Sequence, residues 1–286
     1  MRKIVLCANP GRDRDFALTR KVYRDLIGMG IRPVLCVFGG DDRVESVPED
    51  MEHGVLDEVI DGAMFVVTLG GDGTLLHAAR AAAPCGVPVL GINLGNKGFL
   101  TELTRENTDL ILKAAMGEYS LEKRMMLDVE LYRDGERIFQ DYALNDAVVG
   151  GMARVVGLRI LGDGRRITEF SGDGVVLATP TGSTAYSLAA GGPLVEPEAE
   201  NIIITPICAH VLAARSYVLA PDRRVTVMID RVSGKAAYLS CDGGTCIMLE
   251  SGDELQVSRS QLTVSMVRLT DSMFYEKISH KLGVSK

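Results

Sequence analysis

The chain has 286 residues, 47% of them hydrophobic, and a formal net charge of −7 at pH 7 from 38 acidic and 31 basic side chains. That is enough apolar material for a sizeable core, and the length predicts two domains. An acidic balance supplies no general field for a polyanion, so a nucleic-acid partner is not expected, whereas a small phosphorylated ligand needs only a local site.

The opening, MRKIVLCANPGRD, is basic at its start but carries only about five apolar residues before Asn9 and Pro10, too few for a secretory h-region, and reads as a first strand. From there the first hundred residues alternate strand and helix periods. KIVLCA reads as a strand, DFALTRKVYRDLIGMG as a helix closed by glycine, PVLCVFG and MFVVTLG as strands, TLLHAARAAAP as a helix stopped by Pro84, and VPVLGIN as a fourth strand. That order predicts an α/β domain with a parallel sheet over residues 1–100. The acidic segment between Phe38 and Ala63 reads as a mobile connection whose second half holds a short helix.

RENTDLILKAAMGEY predicts one more helix. The pattern then changes to short strands separated by turns: LDVELYRDGERIFQ, VVGLRILGDGRRITEF, GDGVVLATP, RRVTVMID, KAAYLSCDGG, DELQVSRS and TVSMVRL. Asp134-Gly135 and Asp163-Gly164 are hairpin-turn signals. A β-rich, sandwich-like second domain is therefore expected over 101–270. The apolar stretch NIIITPICAHVLAA is interrupted by Pro206 and His210 and is shorter than the ~20 residues that span a bilayer, so no membrane partner is expected.

Six cysteines, at 7, 36, 85, 208, 241 and 246, include no C-x-x-C and are read mostly as small buried hydrophobes in a reducing, cytoplasmic protein. Four scattered histidines, at 53, 77, 210 and 280, give no protein-built metal site.

The stretch TLGGDGT at 68–74 ends a strand and opens a helix. Gly70, Gly71 and Gly73 would make a tight turn at which phosphate oxygens approach main-chain N–H groups, and Thr74 would close it. Asp72 would then stand at the carboxyl edge of a parallel strand, where open α/β sheets bind ligands. The plain alternative is that Asp72 caps the helix, a task Thr74 could equally perform. A carboxylate beside a phosphate cradle repels the ligand unless it accepts a proton or helps to hold magnesium. No P-loop and no dinucleotide G-x-G-x-x-G is present.

Two further stretches, GINLGNKGFLTEL (91–103) and GDGVVLATPTGSTAYSLAAGGP (172–193), combine with GGDGT, LNDAVV (144–149) and TPICAH (205–210). Together, in order and over nearly the whole chain, they resemble the NAD kinases. The resemblance implies an N-terminal α/β nucleotide domain, a β-rich C-terminal domain that binds NAD, and a final segment, 271–286, returning to the first. It implies transfer of the γ-phosphoryl group of ATP, or in some members of polyphosphate, to the 2'-hydroxyl of the adenosine ribose of NAD. A divalent metal, Mg2+ above all, is the expected cofactor, and a dimer or tetramer the usual assembly.

Carried over by position, Asp72 is the catalytic proton acceptor, Gly70, Gly71, Gly73 and Thr74 face phosphate, and Gly73 and His77 contact NAD. Asn145 and Asp146 match the pair that binds adenosine, and Asp173 the aspartate near the nicotinamide end. Thr184, Ala185, Tyr186, Ser187, Leu188 and Ala189 match the substrate loop, with hydroxyls supplying polar contacts and the tyrosine ring flanking a planar group. Asp146 replaces the glutamate of many relatives, Ala209 a proline and Gly244 a glutamine, which puts one nucleotide contact in doubt. For Asp146 the plain alternative is a turn cap or an ion pair with Arg154. The competing functions are a lipid kinase sharing GGDGT and a catalytically silent NAD(P)-binding sensor.

Overall fold

The computed structural model describes residues 2–38, 47–95, 98–152, 154–211, 214–231, 237–270 and 274–281. Two compact units divide the chain, Met1–Lys123 with Val264–Lys286, and Arg124–Thr263. The first unit holds the strands β1 (Lys3–Ala8), β2 (Arg32–Val37), β3 (Val66–Gly70) and β4 (Val89–Asn93), all parallel and in the order β2-β1-β3-β4. The short β5 (Leu103–Thr104) pairs with β4.

These strands read as unbroken apolar runs because helices cover the sheet, a requirement of parallel connections. The helices are α1 (Ala17–Gly28), α2 (Leu56–Val59), α3 (Asp72–Ala82) and α4 (Leu110–Ala115). On α1 the buried residues Thr19, Val22, Tyr23 and Leu26 recur at helical spacing, and Val22 and Leu26 join Leu6, Phe65, Leu69 and Leu90 in the core. The buried Asp13 carboxylate accepts the N–H groups of Leu18 and Thr19 at 3.1 and 2.9 Å, which satisfies donors that the first turn of α1 leaves open.

The expected helix over 105–119 is shorter than its pattern, a 3-10 turn at Arg105–Asn107 followed by α4. The short helix foreseen after Phe38 is α2, while residues 39–46, on which the mobile-connection reading falls, lie outside the described residues. The first unit extends to Lys123, later than the boundary expected near residue 101, because β5 pairs with β4 and α4 packs on α1.

The second unit is antiparallel. A hairpin joins β6 (Ser120–Arg133) to β7 (Glu136–Ala143) and is followed by β8 (Asp146–Gly151), β9 (Val156–Gly162), β10 (Arg165–Gly172) and β11 (Gly174–Ala178). After the four-residue α5 (Tyr186–Ala189) come β12 (Ile202–Ile207), β13 (Tyr217–Leu219), β14 (Val225–Arg231), β15 (Ala237–Cys241), β16 (Ile247–Leu249) and β17 (Glu254–Arg268). Asp134-Gly135 and Asp163-Gly164 do turn hairpins, with φ of 51° and 81° at the first and 50° and 75° at the second.

One six-stranded sheet runs β13-β12-β11-β8-β15-β16, and a second places β9 between β10 and β14, with β14 paired to β17. A single core contains Val149, Leu177, Ile204 and Leu239 from the first sheet and Leu158, Ile160, Val227 and Leu255 from the second. The unit is therefore a sandwich. Val148, Val176, Ala178 and Ile203 point to the other face of the six-stranded sheet, where Ala190 and Val195 cover them. Burial on both faces accounts for the largely apolar character of β8, β11 and β12.

DELQVSRS and TVSMVRL, expected as two strands, form the single 15-residue β17, since the polar residues between them include no glycine, proline or aspartate to turn the chain. The C-terminal α6 (Phe274–Lys281) falls within the part of the chain assigned to the first unit. Cys7, Cys36 and Cys241 are buried, whereas Cys85, Cys208 and Cys246 are exposed, so the packing role expected of cysteine holds for half of them. Among the described residues no helix is long and apolar enough to cross a membrane.

Candidate active site

In the first unit the strand order reverses between β1 and β3, the place where parallel sheets leave a crevice beyond their carboxyl ends. A cavity of about 300 Å³ opens there. Its lining comes from the carboxyl ends of the strands: Asn9 and Arg12 after β1, Phe38 after β2, Gly71, Asp72, Gly73 and Thr74 after β3, and Asn93 at the end of β4 with Gly95 and Gly98 beyond it.

Asp72 is the first residue of α3, behind Gly71 at the N-cap position. Its carboxylate does not cap that helix. Instead Oδ2 accepts the Phe99 N–H at 2.6 Å and Oδ1 the Leu100 N–H at 3.1 Å, tying the segment after β4 to the turn after β3. Only glycine fits at position 98, since a Cβ there would collide with the Asp72 carboxylate and Thr101. The Thr74 hydroxyl is buried and accepts the Asn9 side-chain amide at 3.2 Å, so this threonine braces β1 against α3.

Of the three glycines of the turn, Gly71 and Gly73 line the cavity and Gly70 does not. None has positive φ, and Gly70 is buried against Thr74. His77 also lies off the cavity. Exposed on α3, it meets Phe38 edge to face at 5.1 Å and lines a neighbouring hollow of about 470 Å³. Asn9, Arg12, Phe38 and Asn93 were not legible as site residues, because they are scattered one or two at a time at the ends of three different strands; their shared position at the carboxyl ends of parallel strands was the available signal.

The remaining candidates belong to the second unit. Asn145 and Asp146 stand where β7 hands over to β8, and the PTGST turn is fastened to them. Thr179 donates its hydroxyl to the Leu144 carbonyl at 2.6 Å and its N–H to the Asn145 carbonyl at 2.9 Å, and Gly182 in turn donates to the Thr179 hydroxyl at 3.0 Å. Gly182 packs so closely on the Asn145 main chain that any Cβ would overlap it. The Asn145 side-chain oxygen is buried and finds no hydrogen-bond partner among the described residues.

Asp146 is buried, and that desolvation, followed by the like charge of Asp242, pushes its carboxyl up to about 7. Among the described residues no cation pairs with it; the expected alternative partner, Arg154, does not. Asp173 is exposed and accepts the Cys208 thiol, which is held above its usual range by that bond. Tyr186 is 43% exposed, and its hydroxyl is shifted upward by burial first and then by Tyr238, Cys208, Asp173 and Asp146 around it. The substrate-loop hydroxyls turn inward: Ser187 bonds to Thr205 at 2.9 Å and Thr184 donates to the Thr181 carbonyl at 3.2 Å. Ala185 and Leu188 are half-buried and Ala189 is exposed beside them.

A main-chain turn, a carboxylate and an arginine beyond the ends of a parallel sheet suit a phosphate-handling enzyme, and the relatives of the chain are phosphotransferases. The model of the ATP-NAD kinase N-terminal domain matches residues 11–119 and that of the C-terminal domain residues 123–269, and the chain belongs to the ATP-NAD kinase family. It is 35% identical over 285 residues to an NAD kinase of Ruminiclostridium cellulolyticum, covering 99% of this chain and 98% of the relative. It is 40% identical over 235 residues to that of Carboxydothermus hydrogenoformans, covering 81% and 84%. Among solved structures, a yeast NADH kinase complexed with NADH superposes with a TM-score of 0.87 at 25% identity, covering 100% of this chain and 89% of that one. An Archaeoglobus fulgidus NAD kinase in complex with ATP shares the fold, with a TM-score of 0.72 at 24% identity over 99% and 98% of the two chains.

Proposed function

We propose that this enzyme transfers the γ-phosphoryl group of ATP to the 2'-hydroxyl of the adenosine ribose of NAD, releasing ADP and NADP. The observation that carries this reading is the carboxylate of Asp72, which lines the cavity beyond the parallel strands and is oriented by two main-chain donors instead of capping its helix. In the transfer, the bond from the ribose oxygen to phosphorus forms as the bond from phosphorus to the bridging oxygen of ADP breaks. An ordinary carboxylate is too weak a base to ionise a hydroxyl beforehand, so Asp72 takes the proton late, as the new bond forms. Gly71 and Gly73 leave room for phosphate oxygens to approach the main chain, and Arg12 supplies positive charge in the same cavity.

Asn145 and Asp146 would recognise the adenosine, the unpartnered amide oxygen accepting a donor from the base and the carboxylate accepting ribose hydroxyls. Asp173 and the Tyr186 ring would flank the nicotinamide end. The expected divalent cation suits this arrangement. A magnesium ion would be carried largely by the substrate phosphates and water, with Asp72 the carboxylate that the cavity lining offers it. When bound, such a cation would neutralise charge on the transferred group.

The relatives match over nearly the whole chain and Asp72 keeps its neighbouring glycines, so neither a lipid kinase nor a silent sensor is favoured. Exposed unpaired thiols at Cys85, Cys208 and Cys246 support a reducing, cytoplasmic setting. The test is incubation of the purified protein with NAD and MgATP, with NADP read by a dehydrogenase specific for it. NADP formed in step with ADP is expected; ADP without NADP, or neither, would overturn the reading.

A further inference from the structure

Three consecutive main-chain N–H groups of the second unit converge on one carboxylate. Those of Leu144, Asn145 and Asp146 donate to Asp242 at 2.8, 2.7 and 3.0 Å, with both carboxylate oxygens engaged. The Asp242 N–H returns to the Asp146 carbonyl at 2.9 Å. The pairing of β8 with β15 stops at Ala147 and Cys241, so Asp242 takes over the donors just where the ladder ends. It does so from a left-handed conformation, φ 52°, that aspartate and asparagine adopt more readily than most residues.

We propose that Asp242 is the positioning residue for nucleotide recognition, fixing the main chain from which Asn145 and Asp146 present an amide and a carboxylate. The inference rests on the reading of those two residues as the adenosine-binding pair. Residues 144–146 are gripped on both sides, their N–H groups by Asp242 and the carbonyls of Leu144 and Asn145 by Thr179. The grip leaves the Asn145 amide oxygen buried and without a partner among the described residues, as suits an acceptor kept for a ligand.

The same carboxylate places a negative charge beside Asp146. Burial and that charge hold the Asp146 carboxyl at about 7. The other titratable group facing it is the Tyr186 hydroxyl, around which Asp173, Cys208 and Tyr238 also gather. A protonated Asp146 no longer accepts two ribose hydroxyls, so kcat/KM for NAD should fall as pH drops through neutrality. Removing the charge of Asp242 should move that acid limb to lower pH, an effect that a purely structural role does not produce.

The experiment is steady-state kinetics of Asp242→Asn against wild type, varying NAD at saturating MgATP between about pH 5.5 and about pH 8.5 (roughly one and a half units either side of neutrality), with a melting curve for each protein. The KM for NAD should rise about tenfold at the alkaline end, from one or two misaligned hydrogen bonds, while kcat stays within about threefold. The acid limb should shift downward. Asp242→Ser, also uncharged and able to satisfy fewer of the donors, carries the same two readings if the amide variant does not fold. A folded variant with an unchanged KM for NAD and an unmoved acid limb would overturn the proposal, whatever its melting temperature. Absence of NADP from the wild-type protein would overturn the kinase reading instead.

Discussion

Asp72 and Asp146 are both aspartates near the start of a regular element, yet their surroundings assign them different work. Asp72 is half-buried and accepts two N–H groups, a setting that orients a carboxylate without removing it from solvent. Asp146 is buried beside a second carboxylate and holds its proton to about pH 7, against an ordinary value of 3.8. A folded-state pKa raised in this way contributes stability that is complete below the unfolded value and is lost as pH rises through the folded one. The window is therefore roughly pH 4 to 7, and the loss on the order of a few kcal/mol. The nucleotide-free protein should melt at a higher temperature at pH 5 than at pH 8, and Asp146→Asn should flatten much of that difference. Melting curves at the two values check this; an identical pH dependence in the variant would mean that Asp146 does not carry the strain. Sequence reasoning found Asp72 and Asp146 through their motifs. It had no access to Asp242, whose role comes from the folding back of a turn, nor to the inward direction of the Thr184 and Ser187 hydroxyls.

At the scale of elements, the strands of the first unit were legible because parallel strands buried on both faces are apolar throughout, and the Asp-Gly hairpins because they need residues that accept positive φ. Less legible were elements whose polarity misleads. The strand β12 drew attention as a stretch too short for a bilayer and through the TPICAH motif but was not read as a strand, and the polar middle of β17 looked like a break. The glycine turns show how local sterics separate two kinds of glycine. Gly73 has open space where a Cβ would stand, whereas a Cβ at Gly182 would lie 2.6 Å from the carbonyl carbon of Asn145, a main-chain atom that cannot rotate away. Gly182→Ala should therefore cost about 1 to 3 kcal/mol of stability by overpacking, and should raise the KM for NAD by displacing Asn145. Gly73→Ala should leave the melting temperature nearly unchanged. Thermal melts with NAD kinetics on the two variants make the comparison; equal effects would show that the Gly182 contact has no energetic consequence.

On the proposed reading, each of the two units contributes its own chemistry to the transfer. The first has a parallel sheet whose ends shape a cavity for phosphate, and the second has a sandwich whose strand ends carry an amide and a carboxylate suited to a nucleoside. If the division of labour is correct, loss of the Asp72 carboxylate should disable transfer while recognition of NAD survives. Asp72→Asn retains the size of the side chain and one acceptor for the Phe99 and Leu100 donors, but not the proton acceptor. The decisive measurement is kcat and the KM for NAD of Asp72→Asn, shown to be folded by circular dichroism, at saturating MgATP. General-base loss typically costs about 10² to 10⁴ in rate, so kcat should fall by that factor with the KM for NAD within a few-fold of wild type. Turnover within about threefold of wild type would contradict the account, since an effect that small lies outside the range for losing a catalytic base.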